Sequence, residues 1–183
     1  GSAGMETVVC NLIEPGDKAL VVNTGFFSDR MSAIMERYGA QVTHVRAPIG
    51  GRPSLEDVEN ALKQGQFKVM SITHVDTSTA VLTDVPALAK LAQQYGALCV
   101  VDGVCSIGGE EFRMSEWGVD VALTASQKAI SVPPGLALLV ASPRAMAALR
   151  RSWQRERCSM PIEGISVLAP AVVASASRVQ SQK

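Results

Sequence analysis

The stretch Val119-Asp120-Val121-Ala122-Leu123-Thr124-Ala125-Ser126-Gln127-Lys128 carries the pattern that decides the fold. Its apolar part, residues 119–123, predicts a buried strand, and Lys128 follows shortly after that strand ends. A second apolar run, residues 136–140, comes after Pro133-Pro134-Gly135. The link between the two runs is short, which predicts that they pair antiparallel, because parallel neighbours need a long crossover. Upstream, the apolar run 97–101 ends in Asp102, so a lysine and an acid each follow a buried strand.

Short apolar runs and helical patterns alternate along the rest of the chain. Further strands are predicted at 19–22, 42–45 and 69–72, and helices at 3–13, 27–38, from 54 onward, 84–95 and 143 to about 153. This alternation predicts an α/β fold with a three-layer, mostly parallel sheet and helices on both faces. Ligands bind such sheets at the carboxyl ends of the strands. Thr73-His74, Asp102 and Lys128 all fall there.

Composition narrows the class of protein. The chain has 183 residues, of which 47% are hydrophobic and 19% charged, and Lys+Arg equals Asp+Glu at 17 each. A balanced charge gives no reason to expect a nucleic-acid or membrane-surface partner. No apolar run is long enough to span a bilayer, no signal peptide opens the chain, and the four cysteines lack metal-ligand spacing. These features predict an intracellular protein, with peroxisome, mitochondrion and cytoplasm left open.

Lys128 and Asp102 together suggest a site for an aldehyde cofactor with a basic ring nitrogen. Pyridoxal phosphate has both groups, and it would form a Schiff base with the lysine while its ring faces the acid. This reading expects the lysine amine to be buried, because burial helps to keep it neutral. The alternative for each residue taken alone is a surface lysine in a turn and a helix-capping aspartate.

Four other features are candidates for contacts to the same cofactor. Gly1-Ser2-Ala3-Gly4 opens a helix whose free amides suit a phosphate, although Gly-Ser at a chain start is also typical of a cloning remnant. Phe27 is a candidate for stacking on the ring, or a core phenylalanine. The polar run 73–79 offers hydroxyls for a phenolic oxygen, or forms a satisfied turn. Gln127 is a candidate hydrogen-bond donor to the phosphate. His74 is not expected to bind a metal, because no second ligand stands at metal-ligand spacing from it.

At this point the sequence resembles the class V aminotransferases of fold type I, and most of all their alanine–glyoxylate and serine–pyruvate branch. The resemblance covers residue 1 to about residue 152 and rests on several motifs in order. These are Gly1 to Glu6, Asn11 to Asp17, Gly25-Phe26-Phe27, Thr73-His74 through Thr79, Val101-Asp102 through Gly109, and Ser126-Gln127-Lys128 through Pro133-Pro134-Gly135.

The resemblance implies a role for each matching position. Lys128 matches the Schiff-base lysine and Asp102 the partner of the pyridine nitrogen. The other implied contacts are Phe27 stacked on the ring, Val104 on its opposite face, Thr77 beside the phenolic oxygen, and Gly1, Ser2 and Gln127 at the phosphate. The implied reaction moves an amino group from alanine or serine to glyoxylate or pyruvate. Its partners are therefore small amino acids and 2-oxo acids, and the full-length family member is expected to be a homodimer.

The resemblance also predicts the domain organisation. Residues 1–152 are expected to form part of a large pyridoxal phosphate-binding domain, and residues 153–183 a divergent, poorly ordered tail. A segment before Gly1 and a smaller C-terminal domain of the family are expected to be missing. A chain of this kind is expected to bind its cofactor weakly and to turn over substrate poorly, if at all.

Several alternatives stand beside this reading. One is a catalytically dead fragment that acts at most as an interaction protein, and another is an aminoethylphosphonate–pyruvate aminotransferase, which the sequence separates poorly. Cysteine desulfurases share the fold, but they typically place a histidine before the lysine and another over the ring, where this chain has Gln127 and Phe27. A nucleotide-binding domain is disfavoured, because no Gly-x-Gly-x-x-Gly follows the first strand.

Overall fold

The computed structural model describes the backbone of residues 1–155 and the side chains of residues 1–149. The helices are α1 (Ser2–Leu12), α2 (Phe26–Arg37), α3 (Leu55–Lys63), α4 (Val85–Gln94), α5 (Met114–Trp117) and α6 (Pro143–Arg155). The strands are β1 (Lys18–Asn23), β2 (Gln41–Arg46), β3 (Val69–Thr73), β4 (Val75–Asp76), β5 (Val81–Leu82), β6 (Leu98–Asp102), β7 (Val121–Ala125) and β8 (Ala137–Ala141). The tail predicted for residues 153–183 lies outside the described residues, except for the last turn of α6.

Six strands form one sheet in the order β2-β1-β3-β6-β7-β8. The first five are parallel, and β8 pairs antiparallel with β7. The α/β, mostly parallel fold predicted from the sequence is therefore confirmed, as is the antiparallel last strand. The register sets Asp102 beside Thr73 on one side and Leu123 on the other, so the carboxyl ends of β3, β6 and β7 lie close together.

Helices cover both faces of the sheet, also as predicted. One face packs against α1, α2 and α6, with Met5, Val9 and Met31 among the fully buried side chains. The other face packs against α3 and α4, where Val58 and Leu88 are buried. The central strands β3, β6 and β7 are buried along their whole length, as expected for parallel strands sandwiched between helices.

Local capping explains where two of these helices begin. The Ser54 hydroxyl accepts a hydrogen bond from the Asp57 amide, and the Asp84 carboxylate accepts one from the Ala87 amide. Both side chains satisfy donors that have no partner within their own helix. The helix predicted from residue 54 onward is therefore confirmed, with Ser54 as its N-cap.

Two elements differ from the sequence-based expectation. The polar run after β3 is not a plain loop, because β4 and β5 pair as a short antiparallel ribbon. The connection between β6 and β7, where the sequence predicts no helix or strand, contains the one-turn helix α5. Both elements are too short to show a hydrophobic period, so pattern analysis cannot detect them. No helix within residues 1–155 has the length and apolar character that crossing a membrane requires.

Candidate active site

A cleft of about 250 Å³ opens at the carboxyl ends of the central strands, between the first turns of α1 and α2. Its lining residues are Gly1, Ser2, Met5, Phe27, Val75, Thr77, Asp102, Val104, Cys105, Gln127 and Lys128. All eight residues to which the family resemblance assigns a role therefore line the same cleft. The three that the sequence did not indicate are Met5, Val75 and Cys105, which add mainly apolar surface.

Asp102 ends strand β6 and is the buried acid of the cleft. Only 3% of its surface is exposed, and its Oδ1 accepts a hydrogen bond of 3.0 Å from the Val104 amide. Burial raises the pKa of Asp102 to about 6; the Val104 amide and the amino terminus oppose this shift, and the charge of Asp76 adds to it. A carboxyl group held in this way is ready to ionise fully when a cation enters the cleft.

Lys128 lies in the loop between β7 and β8, and here the sequence-based expectation is corrected. The lysine was expected to be buried, but it and its neighbour Gln127 are both exposed. The loop is nevertheless held in shape, because the buried Ser126 hydroxyl donates to the Pro133 carbonyl at 2.7 Å. Lys128 is exposed because burial depends on what packs over a loop, and the local sequence does not determine that.

Phe27 sits in the first turn of α2 and forms one wall of the cleft. Its ring is half-buried and meets the exposed ring of Phe26 edge to face, with centroids 5.3 Å apart. Thr77 also lines the cleft and presents a hydroxyl that hydrogen-bonds the Cys105 thiol at 2.5 Å. The lining of the cleft thus combines an aromatic ring with a hydroxyl and a thiol.

The first turn of α1 closes the end of the cleft. Gly1 is the N-cap of this 11-residue helix, and no side chain caps its free amides. A Cβ added to Gly1 would lie 3.3 Å from Cγ2 of Val104, so the helix start and this valine are in close contact. Uncapped amides at a helix N-terminus favour an anion such as a phosphate.

His74 does not line the cleft. It is buried behind it, where its Nδ1 lies 2.9 Å from the Ser106 hydroxyl and its ring packs near Phe112 and Trp117. Burial lowers the pKa of His74, so a neutral imidazole is favoured. Within residues 1–155, no group of three or more His, Cys, Asp or Glu side chains is arranged to hold a metal ion.

The chemistry of the cleft suits pyridoxal phosphate. The cofactor needs an amine for its aldehyde, an acid for its ring nitrogen, an apolar wall for its ring and donors for its phosphate. Lys128, Asp102 and Phe27 supply the first three, and the open start of α1 supplies amide donors. These groups line one cleft although they come from four separate elements of the chain.

Comparison with known proteins points in the same direction. The family model described as aminotransferase class-V matches residues 1–155. The chain is 47% identical over 152 residues to alanine–glyoxylate aminotransferase 1 of Saccharomyces cerevisiae, and the match covers 80% of this chain and 40% of that protein. It is 44% identical over 154 residues to L-aspartate–glyoxylate aminotransferase of Paracoccus denitrificans, a match that covers 81% of this chain and 39% of that protein.

Solved structures agree with the sequence relatives. The crystal structure of ureidoglycine–glyoxylate aminotransferase from Bacillus subtilis superimposes with a TM-score of 0.82 at 32% identity, covering 86% of this chain and 41% of that one. The chain therefore spans about two fifths of the length of the relatives that it matches.

Proposed function

Because this chain belongs to the class V aminotransferase family, whose members depend on pyridoxal phosphate, we propose that it forms the cofactor-binding part of such an enzyme. In the proposed reaction an amino group moves from alanine or serine to glyoxylate or pyruvate. The relatives named above are aminotransferases that act with glyoxylate, which supports this choice of acceptor. The observation that carries the proposal is the convergence of Lys128, Asp102 and Phe27 on one cleft.

The cofactor, when bound, supplies an aldehyde and an electron-withdrawing ring that stabilises negative charge on the substrate's alpha carbon. Lys128 is the residue we propose for covalent attachment and for moving the alpha proton. Its loop suits both tasks, because Ser126 anchors the base of the loop while the lysine side chain stays exposed and able to swing. An amine tethered in this way reaches its target without a bimolecular encounter.

Asp102 is proposed to keep a proton on the ring nitrogen. Its carboxyl group lines the cleft, and with a pKa of about 6 it is already mostly ionised at neutral pH, so a nearby cation would hold it fully in the charged form. Since water is largely excluded from this position, the resulting charge pair is stronger than one at the surface.

The remaining lining residues are proposed to orient the ring and its phosphate. Phe27 and Val104 would hold the ring from opposite faces, and Thr77 would bind the phenolic oxygen in exchange for its present bond to the Cys105 thiol. Gly1, Ser2 and Gln127 would donate to the phosphate. A homodimer of the full-length protein and an intracellular location stay predictions from the sequence.

Covalent trapping tests the proposal. The purified chain is mixed with pyridoxal phosphate, reduced with borohydride and digested, and mass spectrometry then locates the modified residue. We expect a visible absorbance band before reduction and a single adduct on Lys128, which Lys128→Ala abolishes. Lys90→Ala is the matched control, since Lys90 is equally exposed but lies on α4, away from the cleft. An adduct that persists in Lys128→Ala would overturn the assignment.

The alternative is a cofactor-free fragment that acts through its surface. Strand β8 favours it, because Leu138, Leu139 and Val140 are all exposed on this edge of the sheet. Exposed apolar patches of this kind typically mark contact surfaces. The same trapping experiment separates the two readings, since a cofactor-free fragment gives neither the band nor the adduct. A donor screen on a full-length relative would separate alanine and serine from aminoethylphosphonate.

A further inference from the structure

We propose that Asp76 is a positioning residue of the cleft. Together with Ser78, it ties the first turn of α2, which carries Phe27, to the turn that carries Thr77. The inference rests on the proposed function, because Phe27 and Thr77 are the side chains that it would place against the cofactor. Asp76 itself does not line the cleft, so it acts through these two neighbours.

The start of α2 has no cap of its own. Its N-cap residue is Gly25, which has no side chain, and the first amides of any helix lack partners inside the helix. Two of these amides find partners on the ribbon instead. The Phe27 amide donates to Oδ2 of Asp76 at 3.3 Å, and the Phe26 amide donates to the Ser78 hydroxyl at 3.0 Å.

Asp76 is fully buried, with 0% of its surface exposed. Its Oδ1 accepts from the Ser78 amide at 3.0 Å and from the Ser78 hydroxyl at 2.6 Å. Among the described residues it forms no ion pair, so its charge is balanced by amide and hydroxyl donors. A helix N-terminus is where such a charge is favoured. The carboxylate thus serves both the helix and the turn.

Two further contacts fix the spacing between the helix and the ribbon. A Cβ added to Gly25 would lie 2.5 Å from Oγ of Ser78 and 2.8 Å from Cγ of Asp76, so only glycine permits this approach. The Thr79 hydroxyl donates to the Thr24 carbonyl at 2.8 Å. The chain before α2 and the turn after β4 are therefore joined at several points around one buried carboxylate.

This arrangement couples two residues that line the cleft. Asp76 binds the Phe27 amide and Ser78 binds the Phe26 amide, and Thr77 lies between Asp76 and Ser78 in the chain. Loss of the Asp76 charge would release the start of α2 and let the aromatic wall shift relative to the Thr77 hydroxyl. Asp76 also adds to the raised pKa of Asp102, after the larger effect of burial, so the acid at the floor of the cleft is affected as well.

The experiment compares Asp76→Asn with Asp84→Asn. Asp84 caps α4 at a site outside the cleft, so the same substitution there removes the charge of a capping carboxylate without touching the proposed site. Residue-resolved hydrogen exchange on the cofactor-free chain measures the Phe27 amide, and absorbance titration with pyridoxal phosphate measures affinity. For Asp76→Asn we expect exchange at Phe27 to be roughly tenfold faster and affinity roughly tenfold weaker. For Asp84→Asn we expect both to stay within about twofold of the parent chain, because only the charge of a remote cap is lost and asparagine also caps helices well.

The outcomes separate the inference from the function that it rests on. Unchanged exchange at Phe27 in Asp76→Asn, or an equal loss of affinity in Asp84→Asn, overturns the inference. A parent chain that takes up no pyridoxal phosphate overturns the proposed function, and the exchange comparison, which needs no cofactor, still decides whether Asp76 holds α2. Should Asp76→Asn fail to fold, Ser78→Ala is the milder variant at an exposed position. It is expected to speed exchange at Phe26, and unchanged exchange there counts against the inference.

Discussion

The acids at the two ends of the parallel strands have different partners. At the amino ends, acids are matched with cations: Asp17 pairs with Lys68 at 2.5 Å and Asp120 pairs with Arg144 at 3.0 Å. At the carboxyl ends, Asp76 and Asp102 are buried, but neither forms an ion pair among the side chains of residues 1–149. The two acids at the amino ends thus have cationic partners, whereas Asp76 and Asp102 are bound by amide and hydroxyl donors.

This contrast teaches where binding capacity lies in the fold. A buried carboxylate that is already paired with a cation gains little from a second cation. One held only by amides, as Asp102 is by Val104, gains when a cationic ligand arrives. At the amino ends of the strands, Asp17 and Asp120 are thus paired with cations. At the carboxyl ends, Asp102 has a raised pKa and is available to a cationic ligand.

The strongest test of the contrast is Asp102→Asn. Because burial raises the pKa of Asp102 from 3.8 to about 6, the ionised form is disfavoured in the folded chain. Removal of this charge is expected to raise the free energy of unfolding at pH 8 by up to about 3 kcal/mol, as the pKa difference implies. Urea unfolding of the cofactor-free chain measures the change. A loss of stability would show that Asp102 contributes to the fold as the acids at the amino ends do.

The matching change at the other end is Asp120→Asn. The Asp120 carboxylate accepts from the Cys99 amide and the Ser142 hydroxyl, both at 2.9 Å, besides pairing with Arg144. The free energy of unfolding is expected to fall by about 2–3 kcal/mol, because charged hydrogen bonds are lost while their partners stay in place. The same urea series measures it. A change below 1 kcal/mol, or a gain, would remove the contrast between the two ends of the sheet.

The pH dependence of the free energy of unfolding isolates the contribution of Asp102 to the contrast between the two ends of the sheet. A folded-state pKa above the ordinary value means that Asp102 contributes stability in full below pH 3.8 and loses it as pH rises through about 6. From pH 8 to pH 5, the parent chain should therefore gain about 1 kcal/mol relative to Asp102→Asn. The parent chain is compared with Asp102→Asn because other groups also make stability depend on pH, and some do so in the opposite direction. The pKa of Asp29, for example, is lowered by its hydrogen bond to Arg46. Parallel pH profiles for the two chains would contradict this prediction.

The smallest effect is expected for Arg46→Ala, which tests whether burial matters more than position. Arg46 ends strand β2 and pairs with Asp29 at 2.6 Å, and about half of each side chain is exposed. Exposed pairs contribute little, so the free energy of unfolding should change by less than about 1 kcal/mol. Thermal or urea unfolding measures it. A loss as large as that expected for Asp120→Asn would show that exposed pairs at the carboxyl ends also stabilise the sheet.

Much of the cleft could be predicted from the sequence, because the carboxyl end of a buried strand can be recognised from the polar residues that follow an apolar run. Asp102 and Lys128 were identified in this way, and Phe27, Thr77 and Val104 through their place in family motifs. Asp76 was missed. It lies in the run 73–79, in which every residue except Val75 is polar, and only the β4–β5 ribbon decides which of them turns inward. The burial of Lys128 was predicted wrongly for a related reason, since burial depends on neighbours distant in sequence.

The sequence by itself determined the alternation of strands and helices, the mostly parallel sheet and the residues that converge at its carboxyl ends. These follow from periodicity and from the geometry of crossover connections, which are local rules. Only the tertiary structure decided that Asp102 forms no ion pair with the described side chains while Asp120 forms one, and that Asp76 caps a helix from another element. Such pairings depend on which groups meet across about 20 to 50 residues of chain, as Asp120 meets Arg144 and Asp76 meets Phe27. Local patterns carry no information about that distance, because it is set by how the elements pack.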